Sequence, residues 1–259
     1  MFSLVETSPQ VEIQESEYQR LLGYPKNHPL EGRARELAED AQAWFAKNGR
    51  PWICAREASS LELKNKSASI GGTEFSSKKL REILFDAQAH STLLVAVSAG
   101  KECEEHARQL WNEGKPDEYF FLETYGSAVV EQLITVASRH ICAWADENKM
   151  AALPHFSPGY SGWDFAEQVP LWNLFQKNFG NDFPGDLEVL DSGMLRPKKS
   201  LLAVIGLTRD LQKAKQFQKL IPCDTCSLPN CRYRRAPYKR ARPPMENVSR
   251  LPGATDVCE

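Results

Sequence analysis

Apolar residues along this chain follow two rhythms, one near 3.6 and one near 2, and the two do not alternate regularly. Ala34, Leu37, Ala38, Ala41, Trp44 and Phe45 recur at helical spacing, which is the stripe an amphipathic helix presents to a core. Asn48-Gly49 supplies its stop. Residues 51–55 then predict a short strand and residues 61–70 another of mixed pattern, with a turn at Gly71-Gly72. Ser76 or Ser77 is placed to cap a helix that reaches Ala87. The near-continuous apolar run at 92–97 predicts a central strand covered on both faces. A helix follows at 102–112, and Pro116 suits the first turn of a longer one reaching Trp144. Leu122, Val129, Val130, Leu133, Val136, Ala137 and Ile141 form its stripe. Within it, Gly126, Ser127 and Ala128 leave a small-residue patch where another element can approach. After a non-periodic loop at 154–163, Val169-Pro170 opens a helix to Phe179. Residues 187–190 and 200–207 predict strands, the second strongly apolar.

This order contains few clean strand–helix–strand units and no internal repeat, so it predicts an α+β fold rather than a doubly wound sheet. At 259 residues, 42% of them hydrophobic, the chain is long enough to bury a substantial core. No apolar run approaches the roughly 18 residues of a membrane span. Residues 1–18 are acidic and polar. They read as a flexible lead and not as a secretory signal, which gives the cytoplasm as the expected location. The net charge of −2 argues against general nucleic-acid binding. Charge is unevenly spread, however. Arg232, Arg234, Arg235, Lys239, Arg240 and Arg242 make a basic, Pro-rich tail, read either as a solvated extension or as a docking strip for an acidic partner or RNA.

Of the seven cysteines, Cys54, Cys103 and Cys142 lie in apolar or helical patterns and read as small buried hydrophobes. Cys223, Cys226 and Cys231 differ. They sit close together on a segment punctuated by Pro222 and Pro229, with Cys258 further on. In a chain expected inside the cell this pattern points to metal ligation and not to disulfides. Zinc usually takes four ligands from two paired knuckles. A four-iron cluster also wants four thiolates, and Cys258 is the distal candidate for the fourth.

The most unusual stretch is His155-Phe156-Ser157-Pro158-Gly159-Tyr160-Ser161-Gly162-Trp163. Its glycines permit positive φ and close backbone approach, its proline fixes the path, and its rings could flank a flat group such as adenine. A structural turn with aromatic packing would use the same residues. Residues Ser157 to Trp163 resemble the Ser-Pro-Gly-Tyr-Ser-Gly-Trp loop of free-standing bacterial relatives of the activation domain of vitamin-B12-dependent methionine synthase. That domain itself binds S-adenosylmethionine (AdoMet) with an Arg-Pro-Ala-Pro-Gly-Tyr-Pro loop. Glu167-Gln168 and Leu171-Trp172 follow in the family's order. The segment from Leu190 through Ser192, Met194 and Pro197 to Ser200 is similar to a family segment entering a strand. Upstream, Tyr125-Gly126-Ser127-Ala128-Val129-Val130-Glu131 resembles the family helix whose glutamate contacts the AdoMet amino group. The resemblance spans about residues 20–210, and its most specific part is the loop.

The resemblance implies a central twisted, mostly antiparallel sheet flanked by helices over residues 19–212, with a small irregular Cys-containing appendage at 213–259. It implies that Ser157 and Gly159 offer backbone groups to AdoMet, that Tyr160 lines the pocket and that Glu131 pairs with the ligand ammonium. His155 stands where methionine synthase has an arginine for the ligand carboxylate, and a neutral imidazole is a weaker partner than a guanidinium fork. The family's N-terminal aspartate and late tyrosine find no matched position. The implied function is reductive methylation of cobalamin presented by a partner methyltransferase or corrinoid protein. No catalytic acid or base is expected, and the chain is expected to act as a component of that activity and not as a complete enzyme. Because inactive cob(II)alamin needs an electron, this setting favours an iron–sulfur cluster over zinc on Cys223, Cys226, Cys231 and Cys258. Homocysteine, folate and cobalamin modules are not expected: no His is followed three residues on by Gly, so there is no Asp-x-His-x-x-Gly motif. The alternatives are a module that docks a corrinoid protein without AdoMet, and an iron–sulfur electron-transfer protein.

Overall fold

The structure is a computed structural model, and it describes residues 1–25 and 28–218. In chain order the elements are β1 (Ser3–Glu6), α1 (Glu15–Leu22), α2 (Gly32–Asn48), β2 (Trp52–Glu57), β3 (Leu61–Leu63), β4 (Ala68–Ile70), β5 (Thr73–Phe75), α3 (Lys78–Asp86), β6 (Ala89–Ser98), α4 (Lys101–Asn112), α5 (Pro116–Glu147), β7 (Ala151–Ala152), α6 (Gln168–Phe179), β8 (Glu188–Val189), β9 (Leu195–Arg196), β10 (Ser200–Thr208) and α7 (Leu211–Gln218).

Five strands make the main sheet in the order β1-β2-β6-β10-β7, and every neighbouring pair is antiparallel. The central strands β6 and β10 are apolar on both faces because both faces are covered. Successive side chains point to opposite sides. Leu93, Val95 and Val97 therefore join Ile53, Ala55, Ile205 and Leu207 in one core, while Leu94 and Ala96 join Cys54, Leu202 and Val204 in the other. Helices α1, α2, α4 and α5 fill the first core. The second is closed by the β3-β4-β5 meander, α3 and α6. The α+β class and the mostly antiparallel central sheet expected from the sequence are present.

Helix α5 has 32 residues and so runs about 48 Å. Its buried line of Leu122, Tyr125, Val129, Leu133, Ala137 and Ile141 rests on the first core. The Gly126 patch receives the close approach its composition predicts: a Cβ there would lie 2.9 Å from Cys103 Sγ of α4 and 3.1 Å from the Lys199 side chain. Ser77 caps α3 by accepting a hydrogen bond from the Leu80 N–H at 3.0 Å.

Four expectations need correction. Residues 1–18 are not a flexible lead. Ser3–Glu6 pairs with β2, α1 starts at Glu15, and Phe2 is buried against the Trp144 ring. One aromatic and one alternating run are enough to add an edge strand that an acidic composition conceals. The strand expected over 61–70 is two strands, because the chain turns back where the Lys64 N–H donates to the Ser67 carbonyl. Helix α7 crosses the boundary expected after residue 212. Ala214 is buried in the second core and the chain divides between Leu220 and Ile221. Finally, Cys142 is exposed, while Cys54 and Cys103 are buried as expected. Burial pushes both buried thiols up to about 12. Cys223, Cys226, Cys231, Cys258 and the basic run lie outside the described residues.

Candidate ligand-binding site

The chain leaves β7 along the edge of β10 and stays tied to it. The Leu153 N–H donates to the Gly206 carbonyl, and Phe156 and Val204 exchange two backbone hydrogen bonds at 2.9 and 2.8 Å. Ser157 is buried, and its hydroxyl donates to the Leu202 carbonyl at 2.6 Å. A tight reversal follows. The Tyr160 N–H donates to the Ser157 carbonyl, the Gly159 N–H to the Trp163 carbonyl and the Trp163 N–H to the Tyr160 carbonyl. Gly159 sits at φ +90°, where a side chain is strained, and a Cβ there would also press on the Phe165 ring at 3.2 Å.

Trp163 anchors this loop from below. It is 3% exposed, stacks on Phe156, meets Phe75 edge-on and donates its indole N–H to Glu167 at 2.6 Å. The Ser77 hydroxyl donates to the Gly162 carbonyl at 2.7 Å, binding the loop to the start of α3. Phe156, Ser157, Gly159 and Trp163 thus use their rings and several of their polar groups to build the loop. Trp163 is not placed to flank a ligand.

The other side of the loop faces α5. Ser127, Val130, Glu131 and Ile134 of α5, His155 and Tyr160 of the loop, and Lys198, Lys199, Ser200 and Leu201 entering β10 line one cleft of about 230 Å³. His155 Nε2 and the Tyr160 hydroxyl share a hydrogen bond at 3.0 Å. Of the residues expected to hold a ligand, the structure therefore brings Glu131, His155 and Tyr160 together. Ser157 and Gly159 do not line this cleft.

Opposite Glu131 lies a cationic end that the sequence reading left without a role. Glu123, Ser127 and Glu131 recur every fourth residue, so they lie one turn apart on the same face of α5. Glu123 is paired with both lysines, at 3.0 Å to Lys198 Nζ and 3.2 Å to Lys199 Nζ. Lys199 Nζ also donates to the Ser127 hydroxyl at 2.9 Å. Burial works against the Lys198 ammonium, but its close ion pair with Glu123 outweighs that and raises its pKa. The four-residue period on the polar face of α5 and the Lys198-Lys199 pair were both readable signals.

A larger groove, of about 350 Å³, lies beside α4 and β9. Six of its charged residues are engaged with each other as Lys101–Asp186, Arg108–Glu104 and Arg196–Glu188 pairs. Among the described residues no group of three or more His, Cys, Asp or Glu is arranged to hold a metal. No described helix is long and apolar enough to cross a membrane.

Fold and site together define an α+β domain with a charge-lined cleft between a long helix and a glycine–aromatic loop. The solved structures of similar fold include a crystal structure of the MetH reactivation domain bound to AdoHcy, at a TM-score of 0.55 and 12% identity, covering 76% of this chain and 74% of that one. At that identity the likeness is one of fold, and the chain has the fold of that domain. No family model and no curated protein matches the sequence.

Proposed function

We propose that the chain binds AdoMet in the cleft between α5 and the loop at 154–163, and in doing so supports reductive methylation of cobalamin held by a partner methyltransferase or corrinoid protein. The observation that carries this reading is the convergence of Glu131, from the middle of α5, with His155 and Tyr160, from the loop, on one cleft that also holds lysines. The loop's resemblance to methionine synthase activation domains supports it. So does the fold shared with a reactivation domain solved with AdoHcy, the demethylated form of AdoMet.

The donor set fits an α-amino acid zwitterion, with a carboxylate for its ammonium and ammonium groups for its carboxylate. The cleft, at about 230 Å³, is smaller than the roughly 300–1,000 Å³ of pockets that enclose a whole drug-sized ligand. It therefore takes the amino-acid end, and the nucleoside lies along the half-exposed Tyr160 side of the loop. AdoMet supplies a methyl group activated on a sulfonium. The protein's share is to bind and orient, with Glu131 fixing the ammonium and Tyr160, held by His155, walling the site. No acid–base pair is required, and the chain works as a component of the partner's activity. With this function we group a cytoplasmic location and a metal centre on Cys223, Cys226, Cys231 and Cys258, iron–sulfur in preference to zinc.

Equilibrium dialysis of the full chain against labelled AdoMet tests the reading. One saturable site, half-filled between micromolar and low millimolar AdoMet, is the expected result. A folded chain that takes up none at millimolar AdoMet, yet still captures a corrinoid protein, would replace it with the docking reading.

A further inference from the structure

Resting on that AdoMet reading, we propose that Lys199, and not His155, is the partner of the ligand carboxylate in this protein. The cleft is lined by Glu131 and Ser127 of α5 and by Lys198 and Lys199, and both lysines pair with Glu123, which lies one turn beyond Ser127 on the same face of α5. Two ammonium groups share the single Glu123 carboxylate. That carboxylate is only 12% exposed, so it needs a cation at all times but does not need both.

The two lysines are not equivalent. Lys198 Nζ also sits 5.6 Å over the Tyr119 ring, which lies towards the start of α5 and away from Glu131. Lys199 Nζ instead rests on the hydroxyl of Ser127, a residue of the cleft wall one turn from Glu131. When a carboxylate enters, Lys199 can exchange its share of Glu123 for the ligand while Lys198 keeps Glu123 neutralised. No buried charge is left unpaired at any stage. Gly126 leaves room for this path, because a Cβ there would crowd the Lys199 side chain at 3.1 Å. A flexible ammonium thus takes the place of the arginine that the loop lacks at His155. The ligand class it selects is a nucleoside carrying a complete amino-acid zwitterion.

Isothermal titration of the full chain with AdoMet and with its decarboxylated analogue, which keeps the ammonium but has no carboxylate, reads this directly. Wild type should prefer AdoMet by about tenfold, the value of one charge-assisted hydrogen bond. Lys199→Gln should abolish the preference by weakening AdoMet alone. Lys199→Arg should restore most of it, and His155→Gln should retain it. Thermal unfolding should show Lys199→Gln folded, since Lys198 still pairs with Glu123. Equal weakening of both ligands by Lys199→Gln, an intact preference in that variant, or loss of the preference in His155→Gln each overturns the assignment. Wild type that binds AdoMet without any preference overturns the lysine assignment alone. Wild type that binds neither ligand overturns the AdoMet reading and this assignment with it.

Discussion

The two sides of the loop at 154–163 contrast in almost every physical respect. On one side Phe156 and Ser157 are bonded to β10, Gly162 to the start of α3 and Trp163 to Glu167, and Trp163 and Ser157 are nearly removed from solvent. On the other, His155 and Tyr160 are half-exposed, linked to each other, and turned to a cleft whose far walls are charged. A single short motif therefore contains a scaffold and one wall of a cleft. The scaffold half uses its polar groups internally, and only the other half faces the cleft. Residue type alone did not separate them, because aromatic rings and glycines serve both purposes.

This contrast predicts a graded series of effects. Trp163→Ala should be the most damaging, at about 3–5 kcal/mol of stability for a buried indole. Tyr160→Phe should stay within about 1 kcal/mol, the value of one hydrogen bond. Urea denaturation of the two variants compares them, and equal losses would erase the distinction between the two sides. Gly159→Ala should cost about 1–3 kcal/mol, the usual strain of a side chain at positive φ. This loss should appear in the same denaturation measurement with no ligand present, because the strain is in the loop itself. Glu131→Gln should weaken AdoMet by about tenfold, as expected for a lost charged hydrogen bond, while stability moves by no more than about 1 kcal/mol at this exposed position. The smallest effect concerns the thiols. With maleimide at mildly alkaline pH, peptide mapping of the native chain should find Cys142 labelled and Cys54 and Cys103 protected, since burial pushes the latter two up to about 12 and the thiolate is the reactive form.

Much of the fold was legible because its strongest signals are local. The 92–97 run, the stripe of α5, the cap at Ser77 and the small patch at Gly126 each became the element or contact their composition predicts. Two of the failures share a cause. The split of 61–70 is a local reversal, closed where the Lys64 N–H donates to the Ser67 carbonyl, that the run's mixed apolar pattern conceals. Strand β1 and the docking of α7 are instead settled by distant partners, β2 for the first and the second core for the other. Short sequence windows do not contain those partners. The candidate cleft was half legible. Of the residues the resemblance names, Glu131, His155 and Tyr160 line it. Ser157 and Gly159 lie off the cleft, and the lysines were passed over because a charge pair before a strand ordinarily reads as solvated surface. What changes that reading is Glu123, which lies far away in sequence and whose burial draws both lysines across the face of α5.

Hydrogen exchange of the full chain with and without AdoMet tests the central claim most directly, because it locates the ligand. Binding in the cleft should slow exchange in peptides covering residues 154–163, the middle of α5 around Glu131, and the entry to β10 at 198–201, while α2 and the β3-β4-β5 meander stay unchanged. Protection confined to any other region, or none at saturating AdoMet, would contradict the claim that this cleft is the ligand site.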